Sequence, residues 1–471
     1  MMIDGLRSRR FSSIQLLSSL IVLAVLFFYL ISIVGGGQAP KNVSPMVVMG
    51  MLLNGGIAIM CIVADMRGVT IAKAHWYFVL IFLSVAPLAQ YVGGFFPWNY
   101  SLSADLMIRA NGIVSLWCVF FAASYSLTDK RMKAKMQFRV ASRPSMELPS
   151  SMGYAVILIL WGVVVFAYLA GRYGVSNMVG GRVNYGADAT GWLDWILTYA
   201  LPVVPALGCC HCLLLAKERR GWYFPAVLLF SLSLFCVNPI YSSRYSVAGA
   251  YLPIVLALLP RRSLSNRTFD AVILIAVVVA FPMMNAFKTM KIDQVTIGYL
   301  FNNFAGSYQS IDFDAYSMLA RTLQYVDNSG LRLGRQLFAS LFYGLPGMAS
   351  QVDVATGELV SMSQGALYTN LSAPIQAEAY VDFGSIGVVV YAVVLGVTCA
   401  SIDWGFRVQS DQVAPSFRII VCFVLASFAM FFMRGALQPV FFRMWTFLLF
   451  LGLVYVASRV VRALRTWRFA Q

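Results

Sequence analysis

Apolar residues run along this chain in blocks of about 20, separated by short polar connectors, and a block of that length is what one membrane-crossing helix needs. The blocks fall at 12–34, 45–64, 76–96, 105–127, 150–170, 193–215, 223–237, 245–259, 269–287, 380–402, 417–433 and 440–457. About twelve spans are therefore expected, which returns both termini to one side. The first block follows Arg7, Arg9 and Arg10 and precedes GGGQA, the outline of a signal peptide, but its length favours a retained span. The fold class expected is all-α, one polytopic membrane domain over 1–471, with a large loop inserted at 288–375 between spans nine and ten. Within that loop the apolar spacing of 315–326 is helical, so the loop is expected to pack onto its own face of the bundle. No internal repeat or low-complexity segment is visible.

Composition agrees with this pattern. Of 471 residues 60% are hydrophobic and 11% charged, where soluble domains carry about 25% charged residues. The net charge of +16 would suit an anionic partner, but its distribution matters more than its total. Lys130, Arg131, Lys133, Lys135, Arg139 and Arg143 share one side of the expected topology with Lys217, Arg219, Arg220, Arg261, Arg262 and Arg267. Arg459, Arg462, Arg465 and Arg468 of the tail join them. That is the positive-inside bias of a plasma-membrane protein with cytoplasmic termini, not a nucleic-acid footprint. The eight cysteines all sit in apolar runs and imply no disulfide framework. Cys209, Cys210, His211 and Cys212 point about 100° apart on a helix and do not converge on one ion.

The short spans raise a question about Arg244. Between Arg220 and Arg261 the chain must cross, turn and return, yet each apolar run is about 14 or 15 residues and reaches about 22 Å of a roughly 30 Å hydrocarbon core. The NPIYSSR turn (238–244) is thus expected below the outer surface, on the floor of a pit. MRGALQP (433–439) repeats the arrangement with Arg434, Lys288 ends another span, and Arg172 and Arg182 lie outside the fifth. Cations at depth on the side that disfavours them point to function; the alternative is side chains snorkelling from helix ends. An arginine fork suits the paired oxygens of a diphosphate, and a lipid diphosphate carries its head group to this depth.

Acidic residues on that side are few. Glu378 stands at the mouth of the tenth span, with Asp382 one turn later on the same helix face. Such a carboxylate can take a proton from a sugar hydroxyl; the alternative is a helix-start charge favoured by the dipole. Asp293, Asp312, Asp314 and Glu358 are expected to be solvated. Both histidines, His75 and His211, fall at cytoplasmic ends, and no phosphate-loop, dinucleotide or zinc motif is present, so no cofactor or metal is expected.

SSRY opening a span, RVNYG after the fifth, AEAYVDFGSIG leading into a late one and MRGAL before the last resemble the bacterial O-antigen polymerases of the Wzy type. The resemblance covers most of the chain in span layout and loop placement. It implies a GT-C-like membrane glycosyltransferase that transfers a growing glycan from undecaprenyl diphosphate onto an incoming lipid-linked repeat unit, with inversion and without metal. By matching position, Arg244 and Arg434 would hold the leaving diphosphate, and Glu378 would be the base or would at least orient the acceptor hydroxyl. Arg172, Arg182, Tyr185, Lys288, Arg321 and Asp382 form the expected substrate-binding set; Arg172 and Arg321 have glycines nearby at intervals unlike those of some members. A chain-length regulator and a repeat-unit flippase are the partners this implies. A flippase-type transporter, an O-antigen ligase and a non-enzymatic scaffold are the alternatives for the chain itself.

Overall fold

The computed structural model describes residues 43–65, 70–99, 101–137, 148, 152–180, 201–239, 242, 244–258, 308–342, 354–365, 371, 373–410 and 417–435, with parts of 437–456. They form an all-helical structure. The helices are α1 (Pro45–Ala64), α2 (Ile71–Leu80), α3 (Ala86–Val92), α4 (Ala104–Gln137), α5 (Met152–Tyr173), α6 (Val175–Gly180) and α7 (Val204–Ala216). There follow α8 (Tyr223–Cys236), α9 (Arg244–Leu258), α10 (Ala315–Ser329), α11 (Arg335–Phe342), α12 (Thr356–Ser363), α13 (Ile375–Ser410) and α14 (Phe417–Arg434). Five helical stretches are long and apolar enough to cross a membrane: Pro45–Ala64, Ile71–Val92, Ala104–Ala134, Gly153–Tyr173 and Ile375–Gly405. Shorter apolar helices lie at Leu201–Ala216, Arg220–Cys236, Gly249–Leu258, Ile419–Arg434 and Val440–Leu449. The expected spans at 12–34 and 269–287 lie outside the described residues.

Each helix shows why it is where it is. Along α1, Val47, Met51, Asn54, Gly55, Ala58 and Ile62 recur at helical spacing and are buried, while Met46, Met49, Leu53 and Met60 on the other face are exposed. Polar groups inside and bare apolar side chains outside reverse the order of a water-soluble helix and suit a lipid surround. Asn54 and Asn111 satisfy each other's helices within that interior: Asn54 Nδ2 donates to Asn111 O at 3.2 Å and Asn111 Nδ2 to Val47 O at 3.0 Å.

The stretch Ile71–Val92 is enclosed on all sides. Its two α-helices are joined by a π turn, Ile81–Val85. Pro87 is the cause: it has no N–H for the Leu83 carbonyl and its ring crowds that group, so the preceding turn widens. The freed space admits Ser84 Oγ, which donates to Met51 O at 2.6 Å.

Two cores result. One is built from α1–α4, α10 and α13, the other from α5, α7, α8 and α9, and α14 stands between them. Its residues Cys422, Ala426, Ala429 and Met433 face the first core, and Ile419, Ile420, Phe423, Val424 and Phe428 face the second. The spacing of each set is helical, so one helix serves as a common wall.

Lengths of α8 and α9, 14 and 15 residues, agree with the short runs read from the pattern. The helix expected at 315–326 is present as α10, ended by Gly330 at φ 78°, whose N–H reaches Val326 O at 2.8 Å. Among the described residues it packs on α4 and α13. α13 begins where α14 finishes, and the loop before α10 joins the ends of α3 and α14, which brings Glu378, Arg434 and, through Pro97 at the α3–α4 connection, Arg321 to one end. Lys130, Arg131 and Lys133 lie near the far end of α4.

Candidate functional site

Glu378 sits in the first turn of α13, just after Pro374, whose carbonyl accepts the Ala377 and Glu378 N–H groups. It is 1% exposed. One carboxylate oxygen accepts the hydroxyl of Thr356, the first residue of α12. The other accepts the main-chain N–H of Leu437 at 3.1 Å. Leu437 lies three residues beyond Arg434, where helical backbone resumes after the bend at Gly435. A carboxylate from α13 and an arginine from α14, far apart in sequence, are therefore tied to one short segment.

Arg434 ends α14, where a cation complements the helix dipole. Its guanidinium donates to the carbonyl of Asp312 and stands 5.2 Å from the centre of the Phe82 ring, within the π turn. Asp314 faces it, held by Trp98 Nε1 at 3.1 Å. The expectation that Asp314 is solvated is wrong: it is buried, because Gln90 draws the preceding loop inward. The Gln90 amide donates to Tyr308 O, Ser310 O and Phe313 O at 3.1, 3.4 and 3.3 Å. Burial pushes the Asp314 carboxyl up from the ordinary 3.8 to about 6; Arg434 and the Trp98 bond oppose that shift and Asp312 adds to it. Asp312 and Glu358 are half-buried, and Asp293 lies outside the described residues.

Arg244 is the first residue of α9. Gly249 of that helix packs against α14, with the Phe428 ring 3.9 Å from where its Cβ would be. Arg244 lies five residues before that contact in α9, and Arg434 six residues beyond Phe428 in α14.

The other candidates divide. Asp382, one turn past Glu378, accepts the N–H groups of Gln336 at 3.0 Å and Leu337 at 2.8 Å, and Tyr391 Oη approaches at 3.4 Å. It caps α11, so both of its oxygens are already engaged by the protein. Arg321 is 1% exposed inside α10 and donates to Pro97 O at 3.2 Å. Arg172, in the last turn of α5, donates to Tyr168 Oη at 3.1 Å and stands 5.5 Å from the Tyr173 ring, beside a small apolar cluster of Val165, Leu169, Met178, Val204 and Cys236. Arg182, Tyr185 and Lys288 lie outside the described residues.

Thr356, Asp314, Trp98 and Gln90 carry no signal in the sequence as part of this site. Each is a common residue in a loop or helix end, and only the packing of the long loop brings it here. At the opposite end Asp403 accepts Ile71 N–H at 2.6 Å and Tyr125 Oη at 2.7 Å, and so caps the enclosed helix α2. Cys209, Cys210 and Cys212 are buried in α7, and the His211 ring meets Tyr154 and Trp222.

Among the described residues the cluster has a shielded carboxylate held by neutral donors, with a guanidinium on the helix just before Leu437. Such a pair can take a proton at one point and stabilise developing negative charge at another. Compared with protein-family models, curated proteins and solved structures, the chain matches none.

Proposed function

We propose that the chain polymerises undecaprenyl-diphosphate-linked oligosaccharide repeat units of a surface polysaccharide, at the outer face of a bacterial plasma membrane. The observation that carries this reading is the Leu437 N–H bond to Glu378, which links the carboxylate to the segment just after Arg434. In the reaction an acceptor hydroxyl attacks the anomeric carbon of the donor glycan. The bond from that carbon to the diphosphate breaks, its electron pair leaves with the diphosphate, and the hydroxyl proton passes to Glu378. Arg434 and Arg244 hold the departing diphosphate, gaining strength as its charge grows. In the present conformation Glu378 is engaged by Thr356 and Arg434 by Asp312. The acceptor hydroxyl takes the place of the threonine hydroxyl, and the diphosphate takes the place of the Asp312 carbonyl.

A transporter of the same lipid-linked units is the second reading. It is favoured by a break in α13, at Phe383 and Gly384. Gel analysis of surface polysaccharide from a strain lacking this protein separates the two. Glycans halted at one repeat unit support polymerisation, and loss of every repeat unit from the surface supports transport. Long chains left on the lipid carrier would instead indicate a ligase and overturn both.

A further inference from the structure

The break in α13 is held open by another segment. Phe383 (φ −135°, ψ 15°) and Gly384 (φ 61°, ψ −147°) leave helical geometry, which frees the carbonyls of Val381 and Asp382. Arg332 N–H reaches the first at 2.8 Å and Leu333 N–H the second at 2.9 Å. The Asp382 carboxylate then caps α11, and the Phe383 ring lies 2.8 Å from where a Cβ on Gly334 would be. The segment 331–342 is therefore fixed to α13 by main-chain bonds, a side-chain cap and a ring.

This well-anchored segment shows its apolar side chains to the outside. Leu333 is 76% exposed, Phe338 50%, and Leu331 and Leu341 are exposed too. Toward the protein α11 turns Gln336, Ala339 and Ser340. Leu333 also has φ 51°, a left-handed conformation that a leucine adopts at a cost and that glycine or asparagine would occupy more readily. The conformation is held by the Leu333 N–H bond to Asp382 O, but in water the residue type has no compensating gain. Lipid contact supplies one.

The same surface continues down α13. Beyond the break Ile386 is 75% exposed, with Val390, Val394 and Val397 following on the outward side of this membrane-length helix. Leu331 reaches to 3.7 Å from where a Cβ on Gly384 would sit, so the segment borders the top of that stripe. Arg335 is exposed at the start of α11, at the polar margin of the apolar patch.

We propose that 331–342 lies in the boundary between head groups and acyl chains of the bilayer leaflet on the Glu378 side. Leu333, Phe338 and Leu341 enter the lipid and Arg335 meets lipid phosphates. The occupant of this face is bilayer lipid, because the patch is continuous with the apolar flank of α13 and Arg335, exposed at its margin, is complementary to phosphate. Membrane contact thereby secures the break in α13, which begins five residues after Glu378.

The test is depth-resolved quenching. Cysteines at Leu333, Phe338 or Leu341 carry an environment-sensitive nitrobenzoxadiazole label in protein reconstituted into vesicles of phosphatidylcholine and phosphatidylglycerol. Ile386→Cys serves as the lipid control and Asp327→Cys as the aqueous one. Seven of the native cysteines are buried and Cys61 is half-buried, so unsubstituted protein labelled in parallel sets the background. Lipids brominated near the top of the acyl chain are expected to remove most of the signal at Leu333 and Phe338, as at Ile386, while aqueous iodide removes little. Quenching of both positions by iodide, or protection from both quenchers, overturns the proposal. With the Phe338 label in place, Arg335→Glu is expected to lower bromolipid quenching in the anionic vesicles. An unchanged signal overturns the phosphate contact.

Discussion

Glu378 and Arg434 are each engaged by a neighbour that substrate must displace, so their substitutions have separable effects. Glu378→Gln keeps an acceptor for Leu437 N–H but cannot take a proton. It is expected to lower polymerising turnover by roughly 10²–10⁴-fold while lipid-linked substrate still binds; near-normal turnover in a membrane assay would exclude Glu378 as the base. Arg434→Ala removes a guanidinium that also holds the 308–314 loop through Asp312, so lost polymer is expected to come with a lower melting temperature. Asp314 gives this region a pH dependence of known sign. Its carboxyl is raised from 3.8 to about 6, so the folded state holds the proton more tightly than the unfolded chain does. The stability this supplies is present below about pH 4 and is lost as pH rises through about 6, amounting to about 3 kcal/mol. Asp314→Asn is expected to flatten the difference in melting temperature between pH 5 and pH 7.5; an undiminished difference would show that another group titrates. Glu378 and Arg434 were legible in the sequence because charge is rare in apolar runs. Asp314 was not, since an aspartate in a long polar loop looks the same whether solvated or enclosed.

At the scale of elements, the break in α13 is the feature with the clearest consequences. Gly384 lies where φ and ψ admit essentially only glycine, and Gly384→Ala should cost about 1–3 kcal/mol. Asp382→Ala leaves the Gln336 and Leu337 N–H groups without their cap, an expected loss of about 1–3 kcal/mol concentrated locally. Hydrogen exchange should then quicken at Arg332, Leu333, Gln336 and Leu337 and stay unchanged in α14; uniform acceleration through the bundle would contradict a local cap. By contrast, Arg109 and Asp327 join α4 to α10 by two bonds of 2.6 and 2.9 Å at side chains about 40% exposed. An ion pair so open to solvent contributes at most about 1 kcal/mol and weakens with salt. The spans themselves were legible: 45–64, 223–237 and 417–433 read from pattern are α1, α8 and α14 to within a residue. The break was not, because DFG inside an apolar run has the pattern of an uninterrupted helix. It exists because 331–334 docks there and takes up the freed carbonyls.

For the whole molecule, α4 runs from the end that holds Glu378 and Arg434 to an end that carries Lys130, Arg131 and Lys133. By the positive-inside rule, that second end is expected in the cytoplasm. A membrane-impermeant maleimide should then reach a cysteine at Asp327 in intact cells and one at Lys133 only after lysis; the reverse pattern would invert the topology. The sequence by itself determined the all-helical class, the short helices α8 and α9, the amphipathic α10 and the ends at which the charges collect. These depend on hydrophobic length, local periodicity and the cost of charge in lipid, all of which act within a few turns of chain. Only the tertiary structure decided that Leu437 binds Glu378, that Gln90 buries Asp314, that Asp382 caps α11 and that Ile71–Val92 is enclosed. Each of those depends on which helices meet, and the partners stand tens to hundreds of residues apart. A bilayer makes every span look alike from outside, so apolar pattern carries no record of neighbours; polar groups that must be satisfied inside are what select them.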